Sequence, residues 1–502
     1  MEGKRSRDQA EFKVKTFPVP ISLGVIKEKS SKNDKLNQEE LINQSINIHI
    51  QGNIKEATKY YKYLIDQGVN DYRVFSNLGN ILKGLGNLDE AELYTRKAIE
   101  INPNEASILF NLGNILKDLG NLEEAELYTL KSIKIKPDLA KAHFCLGLIS
   151  NRQGDPYKAI EAFKKTIKFS PDNLDAILSL GSTLIDIRKN EEGKKYLMNI
   201  LDIKPNKDIN KERINLLNTI QQKALYKLTH CLFHEGDFTS SRELLGKLTV
   251  DEYYYSYNIA CLLGLDTTKD FYNAYKIISE KNICNSIIGS VIDHSNIIYG
   301  EKNNSTFCNE AIDYIMHKNL NEEEFPTNMC DSLISFLHQD NNKAKVRNGL
   351  NNISQTKGNI FSLDYTFIKD LKKLIENQIN NYRHLFRDSK EGFIKNWPEN
   401  YSLGGWLLDT KPGGLLKPHM HEGAWLSGSF YLKVPKKNND EGNIVFSPKG
   451  PLYPDKGKLF PEKVLTIKSR DICIFPSSLF HYTIPFKSSE ERICFVFDIM
   501  PF

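Results

Sequence analysis

The chain contains Asn77-Leu-Gly-Asn-Ile-Leu-Lys-Gly-Leu-Gly-Asn-Leu-Asp-Glu-Ala-Glu-Leu-Tyr-Thr95 and, 34 residues later, the near-identical Asn111-Leu-Gly-Asn-Ile-Leu-Lys-Asp-Leu-Gly-Asn-Leu-Glu-Glu-Ala-Glu-Leu-Tyr-Thr129. The same frame recurs further along, with small residues and prolines at fixed positions: Gly79, Gly113, Gly147 and Gly181; Ala57, Ala91, Ala125, Ala159 and Gly193; Pro103, Pro137, Pro171 and Pro205. A glycine or alanine lets two helices cross closely, and a proline ends a helix. Each period is therefore predicted to be one helical hairpin.

A helical period of 34 residues resembles the tetratricopeptide repeat. Five such units fit residues 37–206, the first of them degenerate, and residues 207–340 are expected to add further helical hairpins that cap the array. Stacked units form an all-α solenoid whose concave face is lined by the first helix of each hairpin.

Asparagines recur on that first helix. They occupy two positions of the frame, one turn apart: Asn43, Asn77 and Asn111, then Asn80 and Asn114. An amide donates and accepts hydrogen bonds at once, which suits binding an extended peptide by its backbone. This resembles the asparagine ladder of O-linked N-acetylglucosamine transferases and predicts a protein or peptide partner on the concave face. Two other interpretations stay open: these asparagines are only solvated, or the repeats mediate self-association.

Composition limits the class of protein. At 502 residues the chain is too long for one core, and its 67 basic and 63 acidic residues leave a charge of +4, without the basic stripe that nucleic acid requires. We therefore expect no nucleic-acid partner. We also expect no membrane partner, because no apolar run is long enough to span a bilayer. The scattered cysteines and the polar N-terminus predict a cytoplasmic protein. Residues 1–36 are predicted to be a flexible segment and residues 341–364 a linker.

The pattern changes to short strands in the last part of the chain, residues 365–502. Runs rich in tryptophan, tyrosine, phenylalanine and isoleucine are separated by turn residues, as in Ala424-Trp-Leu-Ser-Gly-Ser-Phe-Tyr-Leu-Lys-Val434 and Asp471-Ile-Cys-Ile-Phe475. This predicts a six- to eight-stranded antiparallel barrel or jelly roll. The fold class is thus a multidomain α + β protein.

Three histidines and one arginine carry the predicted chemistry. His419 and His421 are two residues apart, so on a strand their rings would point to one face and meet one metal ion. His481 follows an apolar strand, and Arg492 stands eleven residues after it. By the same parity Tyr431 would face the way of His419 and His421. His230 and His234 also have a metal-binding spacing, but without a nearby third ligand we favour ordinary packing for them.

Residues 365–502 resemble a family of 2-oxoglutarate- and iron-dependent oxygenases. The motifs that carry the resemblance are His419-Met-His421, Ser427-Gly-Ser-Phe-Tyr-Leu432, Phe475-Pro-Ser-Ser-Leu-Phe-His481 and Glu491-Arg-Ile493. The resemblance implies a double-stranded β-helix in which histidines hold Fe(II) and Arg492 binds the far carboxylate of 2-oxoglutarate as a bidentate fork. Tyr431 is a second candidate contact to 2-oxoglutarate. The implied activity is hydroxylation of a C–H bond.

One departure from the wider superfamily leaves the ligand set open. Many relatives carry a carboxylate two residues after the first histidine, whereas His421 follows His419 and Gly423 follows His421. The adjacent Glu422 should point to the opposite face. The site is therefore either three-histidine, from His419, His421 and His481, or two-histidine, from His421 and His481 with Gly423 at the carboxylate position. The second arrangement resembles that of aspartyl/asparaginyl β-hydroxylases. The alternative function is a non-catalytic interaction scaffold with a degenerate, cupin-like barrel.

Overall fold

The computed structural model describes residues 34–205, 211–339, 342, 352–436 and 439–502. Residues 1–33 and 343–351, which hold most of the predicted flexible segment and much of the predicted linker, lie outside these ranges. The chain divides into two compact units, Met1–Pro103 and Asn104–Phe502.

The described part of the first unit, residues 34–103, forms two helical hairpins. Its four helices are α1 (Asp34–Ile50), α2 (Ile54–Asp66), α3 (Tyr72–Gly84) and α4 (Leu88–Ile101). A Cβ atom at Gly79 of α3 would clash with the Thr95 hydroxyl and lie 3.1 Å from the carbonyl oxygen of Ala91, both on α4. The glycine therefore permits the close helix crossing that the repeat frame predicts. Helix α4 ends two residues before Pro103, as expected for a residue that cannot continue a helix.

The second unit begins with three more hairpins of the same kind. Its helices up to the sheet region are α5 (Ala106–Leu119), α6 (Leu122–Ile135), α7 (Ala140–Arg152), α8 (Pro156–Phe169), α9 (Leu174–Asp186), α10 (Asn190–Leu201), α11 (Lys211–His234), α12 (Phe238–Leu245), α13 (Glu252–Gly264), α14 (Thr268–Lys281) and α15 (Ser286–Tyr299). The crossing repeats in α5 and α6, where a Cβ atom at Gly113 would clash with the Thr129 hydroxyl. The run of helical hairpins is that of a tetratricopeptide solenoid, and helices α11 to α15 continue it.

In the described part of the C-terminal region, nine strands form two antiparallel sheets. The strands are β1 (Met316–Asn319), β2 (Ile353–Gln355), β3 (Tyr401–Thr410), β4 (Leu426–Lys433), β5 (Ile444–Ser447), β6 (Lys463–Leu465), β7 (Asp471–Pro476), β8 (Phe480–Thr483) and β9 (Arg492–Pro501). The major sheet has the order β1-β7-β4-β9-β3-β2, and the minor sheet has the order β6-β5-β8. This arrangement of two sheets fits the predicted double-stranded β-helix.

The major sheet extends further toward the N-terminus than the sequence predicts. Strand β1 lies in the segment expected to be helical and pairs with β7, while β2 lies in the expected linker and pairs with β3. Both are short edge strands of four and three residues, so neither is long enough to show an alternating pattern. The domain boundary at residue 365 stays a prediction.

Among the residues that the structure describes, three α-helices follow α15: α16 (Thr327–His338), α17 (Thr366–Leu385) and the short α18 (Gly392–Lys395). Helix α17 is amphipathic, and its buried Leu371, Ile375 and Ile379 belong to the same apolar core as the strands. Burial of each such side chain contributes about 1.5–3 kcal/mol. Among the helices that the structure describes, none combines the length and apolarity needed to cross a membrane.

Candidate metal centre

The two paired histidines lie on a loop rather than on a regular strand, which corrects the sequence interpretation. This loop, residues 417–423, is called the histidine loop here; it precedes β4 and ends in a turn. A single antiparallel bridge joins His419 to His481 of β8, with N···O distances of 3.1 and 2.9 Å. The loop is thereby fixed to the minor sheet at the point where the third histidine stands.

The rings of His419, His421 and His481 meet despite the irregular backbone. One ring nitrogen of each lies within 4.8 Å of the others, and the ring centroids are 4.4 to 5.4 Å apart. In every ring Nδ1 faces an oxygen: the carbonyl of Lys417 at 2.7 Å, Asp498 at 2.6 Å and the carbonyl of Leu479 at 3.3 Å. Nδ1 therefore carries the proton, and Nε2 is the nitrogen left to bind a metal.

A hydrogen-bonded group behind His421 was not predicted from the sequence. Asp498 of β9 accepts from His421 Nδ1 and, at 2.7 Å, from the hydroxyl of Ser427, which also contacts the Ser477 hydroxyl at 2.8 Å. Ser427 and Ser477 belong to the Ser-Gly and Phe-Pro-Ser motifs, so their structural role is to hold this carboxylate. A carboxylate behind a histidine fixes the ring and strengthens it as a ligand. Asp498 is six residues after Arg492 on the same strand, an even spacing that places both side chains on one face of the sheet. This spacing is the one feature of the sequence that could have indicated that Asp498 lies near the site.

The environment favours the neutral imidazole at two of the three histidines. Burial, together with the neighbouring His421, lowers the pKa of His419 to about 4, and burial with the two other rings lowers the pKa of His481 well below its usual value. Burial alone would also lower the pKa of His421, but the Asp498 carboxylate raises it above its usual value. Metals bind the unprotonated ring, so two of the three histidines are ready to bind at neutral pH.

Arg492 is buried among polar groups that lack partners. It is 2% exposed, and its guanidinium lies 4.9 Å above the ring of Tyr431. Arg492 Nε, the Tyr431 hydroxyl and the Thr410 hydroxyl are all buried without a hydrogen-bond partner, and Arg492 forms no ion pair with any residue that the structure describes. A buried charge without a counterion is costly. The cluster therefore has the composition of a site for an anionic group such as a carboxylate.

The arginine cluster and the histidines face one interior. Every second side chain of β9 points to the same face of the major sheet. On one face these side chains are Arg492, Cys494, Val496 and Asp498. Tyr431 pairs with Cys494 in the register of the sheet, whereas Asp498 binds His421. Tyr431 thus lies at the Arg492 end of the interior that the histidines also face. The parity argument assumed an unbroken strand, whereas a turn interrupts the backbone between His421 and β4.

Glu422 points away from the three histidines, as predicted. Its carboxylate lies 3.3 Å from His230 Nε2 and 3.2 Å from His234 Nε2, and it accepts a short hydrogen bond from the Tyr257 hydroxyl. The expectation that no third candidate ligand lies near His230 and His234 was wrong, since Glu422, far along the chain, contacts both. Gly423 is exposed in the turn.

A cavity of about 550 Å³ opens beside His419. Its walls come from both the helices and the sheets and are mostly apolar: Arg188, Phe233, His234, Ile287, Leu416, Lys417, Pro418, His419, Met420, Glu422, Pro451, Leu452, Tyr453 and Phe480. A cavity with apolar walls and a few polar groups is typical of a ligand site.

The predicted asparagine ladder is distributed over both units. In the first unit Asn43 is exposed, and its amide nitrogen lies 3.4 Å from a Glu39 carboxylate oxygen. Asn77 and Asn80 are half-buried, and the Asn77 side chain hydrogen-bonds the Tyr61 hydroxyl. In the second unit Asn111 and Asn114 are half-buried on α5. Their role in partner binding stays a prediction.

The family models match the two ends of the predicted organisation. Residues 404–498 match the family described as "Putative 2OG-Fe(II) oxygenase", a span that includes His419, His421, His481, Arg492 and Asp498. Residues 72–105 and 94–126 match two tetratricopeptide repeat models. The chain thus contains a segment that matches tetratricopeptide repeats and a C-terminal segment that matches a putative oxygenase domain. No curated protein matches the sequence at a significant level.

Solved structures resemble part of the chain at low similarity. Pseudomonas aeruginosa pilF is 16% identical, with 43% of this chain and 92% of that chain covered and a TM-score of 0.36. A tetratricopeptide repeat protein from Parabacteroides merdae is 18% identical over 49% and 93%, with a TM-score of 0.35. MamA from Desulfovibrio magneticus RS-1 is 20% identical over 34% and 97%, with a TM-score of 0.32. At these values the likeness bears on neither activity nor partner.

Proposed function

We propose that this protein is a 2-oxoglutarate- and Fe(II)-dependent oxygenase that hydroxylates a C–H bond, with a repeat array that recruits a protein or peptide partner. In the overall reaction a C–H substrate, dioxygen and 2-oxoglutarate give the alcohol, succinate and carbon dioxide. One oxygen atom enters the substrate and the other enters succinate. The observation that carries the proposal is the meeting of three histidines, each with Nδ1 bonded to an oxygen, at one end of an interior whose other end holds an unpaired arginine.

His419, His421 and His481 are the proposed iron ligands, which makes the site three-histidine. All three offer an Nε2 atom, and imidazole is a common ligand for iron. When bound, iron and 2-oxoglutarate together supply the reductive activation of dioxygen. Asp498 keeps the His421 ring oriented, and the bridge between His419 and His481 keeps the other two rings in place.

Arg492 is the proposed partner of the far carboxylate of 2-oxoglutarate. A guanidinium binds a carboxylate through two parallel N–H···O bonds, which would satisfy the buried Arg492 Nε. Burial raises the pKa of the Tyr431 hydroxyl, so this group stays protonated and able to donate to the same carboxylate. Thr410 is a further donor on this face.

The chain also keeps water from the proposed site. Phe446 and Phe475 are almost fully buried, and their ring centroids lie 6.0 and 4.8 Å from that of His481. The cavity beside His419 is the proposed entrance for the substrate. Helix α11, which follows the repeats of the second unit, forms part of the wall of this cavity.

The partner is proposed to bind the concave face of the repeats through the asparagine amides. Tetratricopeptide repeats mediate protein–protein interactions in general, and the half-buried amides leave part of each side chain accessible. The cysteines are free thiols, which fits the reducing cytoplasm that we propose as the compartment.

Turnover of 2-oxoglutarate tests the proposal. Purified full-length protein incubated in air with Fe(II) and 2-oxoglutarate should form succinate, and His481→Ala should abolish both turnover and iron retention. His317→Ala is the matched control, because His317 also pairs with a buried aspartate of the major sheet, Asp471 at 2.9 Å, but lies outside the proposed site. Two results together would contradict the proposal: wild type forms no succinate, and wild type and His481→Ala contain the same amount of iron. The barrel would then be a non-catalytic binding module.

A further inference from the structure

A second group of metal-ligand side chains lies on the outer side of the histidine loop. His230 and His234, four residues apart on one face of α11, direct their Nε2 atoms toward each other at 3.2 Å. The Glu422 carboxylate meets them with one oxygen at 3.3 Å from His230 and the other at 3.2 Å from His234. Two imidazoles and a carboxylate thus come together from segments far apart in sequence.

The separation of the two imidazoles is that of neighbouring metal ligands. In a tetrahedral zinc site with bonds of about 2.0–2.1 Å, neighbouring ligand atoms are about 3.3–3.4 Å apart. The two Nε2 atoms are 3.2 Å apart, close to that edge length, and each lies 3.2–3.3 Å from a different oxygen of the Glu422 carboxylate. One ligand atom of each residue lies within 4.8 Å of the others, so the two imidazoles and one Glu422 oxygen can converge on a single ion.

The carboxylate is held in place from behind. The Tyr257 hydroxyl, 3% exposed on α13, donates to Glu422 Oε2. The Ser286 hydroxyl on α15 donates to the backbone carbonyls of His421 and Glu422 at 3.2 and 2.8 Å. Outer partners of this kind orient a ligating carboxylate before the metal arrives. The two histidine side chains are 40% and 42% exposed, which leaves a path for the ion and room for water as a fourth ligand.

We propose that His230, His234 and Glu422 form a second metal site, distinct from the three-histidine centre and selective for Zn²⁺ or an ion of similar chemistry. Imidazole and carboxylate donors with one open position suit zinc. The ion would connect the end of α11 to the residue next to His421. It would also lie in the wall of the cavity beside His419, since His234 and Glu422 both line that cavity. The proposal does not depend on the oxygenase activity.

Zinc stoichiometry of the full-length protein tests this site. After removal of metals by a chelator, His481→Ala protein, which lacks the central site, should bind one Zn²⁺ per chain in a competition titration. Adding His234→Gln should weaken that binding by about 100-fold or more, because a three-donor site loses one ligand.

His338→Gln is the matched control. His338 resembles His234 in its exposure of 41% and in its contact with a carboxylate, that of Glu491 at 3.2 Å. Unlike Glu422, however, Glu491 also contacts Lys411 and Lys433, whose positive charges oppose the binding of a cation. This control should keep its zinc. Should His481→Ala fail to fold, wild type should bind two Zn²⁺ and Glu422→Gln one.

Two results would overturn the proposal. One is a His481→Ala protein that folds and binds no zinc; the other is unchanged zinc binding after His234→Gln or Glu422→Gln. Either would mean that the three side chains form an ion pair only. Failure of the oxygenase proposal is separate, because it appears as absent succinate formation while the second site still binds its zinc.

Discussion

Removal of the charge on Asp498 should weaken the metal centre without removing any ligand. In Asp498→Asn the side chain keeps its size, and its remaining oxygen can still accept from His421 Nδ1, which lies 2.6 Å from the carboxylate. The negative charge that strengthens His421 as a ligand is lost. Loss of such an outer partner typically costs 10–100-fold in metal affinity, or about 1.4–2.7 kcal/mol.

The assay is a competition titration of the metal-free protein with Mn²⁺ or Fe²⁺ and a coloured chelator. Asp471→Asn provides the control, since Asp471 is an equally buried carboxylate of the major sheet that bonds His317 away from the centre. We expect the dissociation constant to rise at least tenfold in Asp498→Asn and to stay within twofold in Asp471→Asn. Equal affinities in both variants and wild type would refute the role assigned to Asp498.

Three further predictions concern the repeats, the co-substrate and pH. Gly79→Ala should lower the free energy of unfolding by about 1–3 kcal/mol, because the new methyl group meets the Thr95 hydroxyl, whereas Gly84→Ala in the same helix meets no atom and should cost nothing in urea unfolding. Arg492→Lys should raise the dissociation constant for 2-oxoglutarate by about tenfold or more with metal affinity unchanged, as calorimetry would show, since lysine cannot form the bidentate fork. Because burial lowers the pKa of His419 from 6.5 to about 4, the unfolded chain takes up a proton that the folded metal-free protein resists. Stability should fall as the pH drops from 6.5 through about 4, by up to about 3 kcal/mol, and less steeply in a His419→Gln variant.

The helical part of the fold was predictable because its information is local. A 34-residue period fixes helix lengths, crossings and ends, and the close contact at Gly79 and the end of α4 before Pro103 follow from it. The short edge strands β1 and β2 were not predictable, since their pairing partners β7 and β3 lie far along the chain. The four residues of β1 and the three of β2 contain too little sequence to specify which strand each pairs with.

The residues of the candidate site could be identified from the sequence, but the backbone conformation that carries them could not. The histidines, Arg492 and Tyr431 were found by motif, but the argument that placed them on common strands assumed an unbroken β4. The structure has a loop fixed by one bridge between His419 and His481 instead. Residues that act through long-range contacts, such as Asp498 behind His421 and Glu422 beside α11, require the folded register and could not be identified from spacing.

Labelling with ¹⁸O₂ tests the central claim most directly. Wild-type protein is incubated with Fe(II), 2-oxoglutarate and ¹⁸O₂, and the succinate is analysed by mass spectrometry. The oxygenase account predicts succinate that contains one ¹⁸O atom and that disappears in His481→Ala. Unlabelled succinate, or labelled succinate formed equally by His481→Ala, would contradict it.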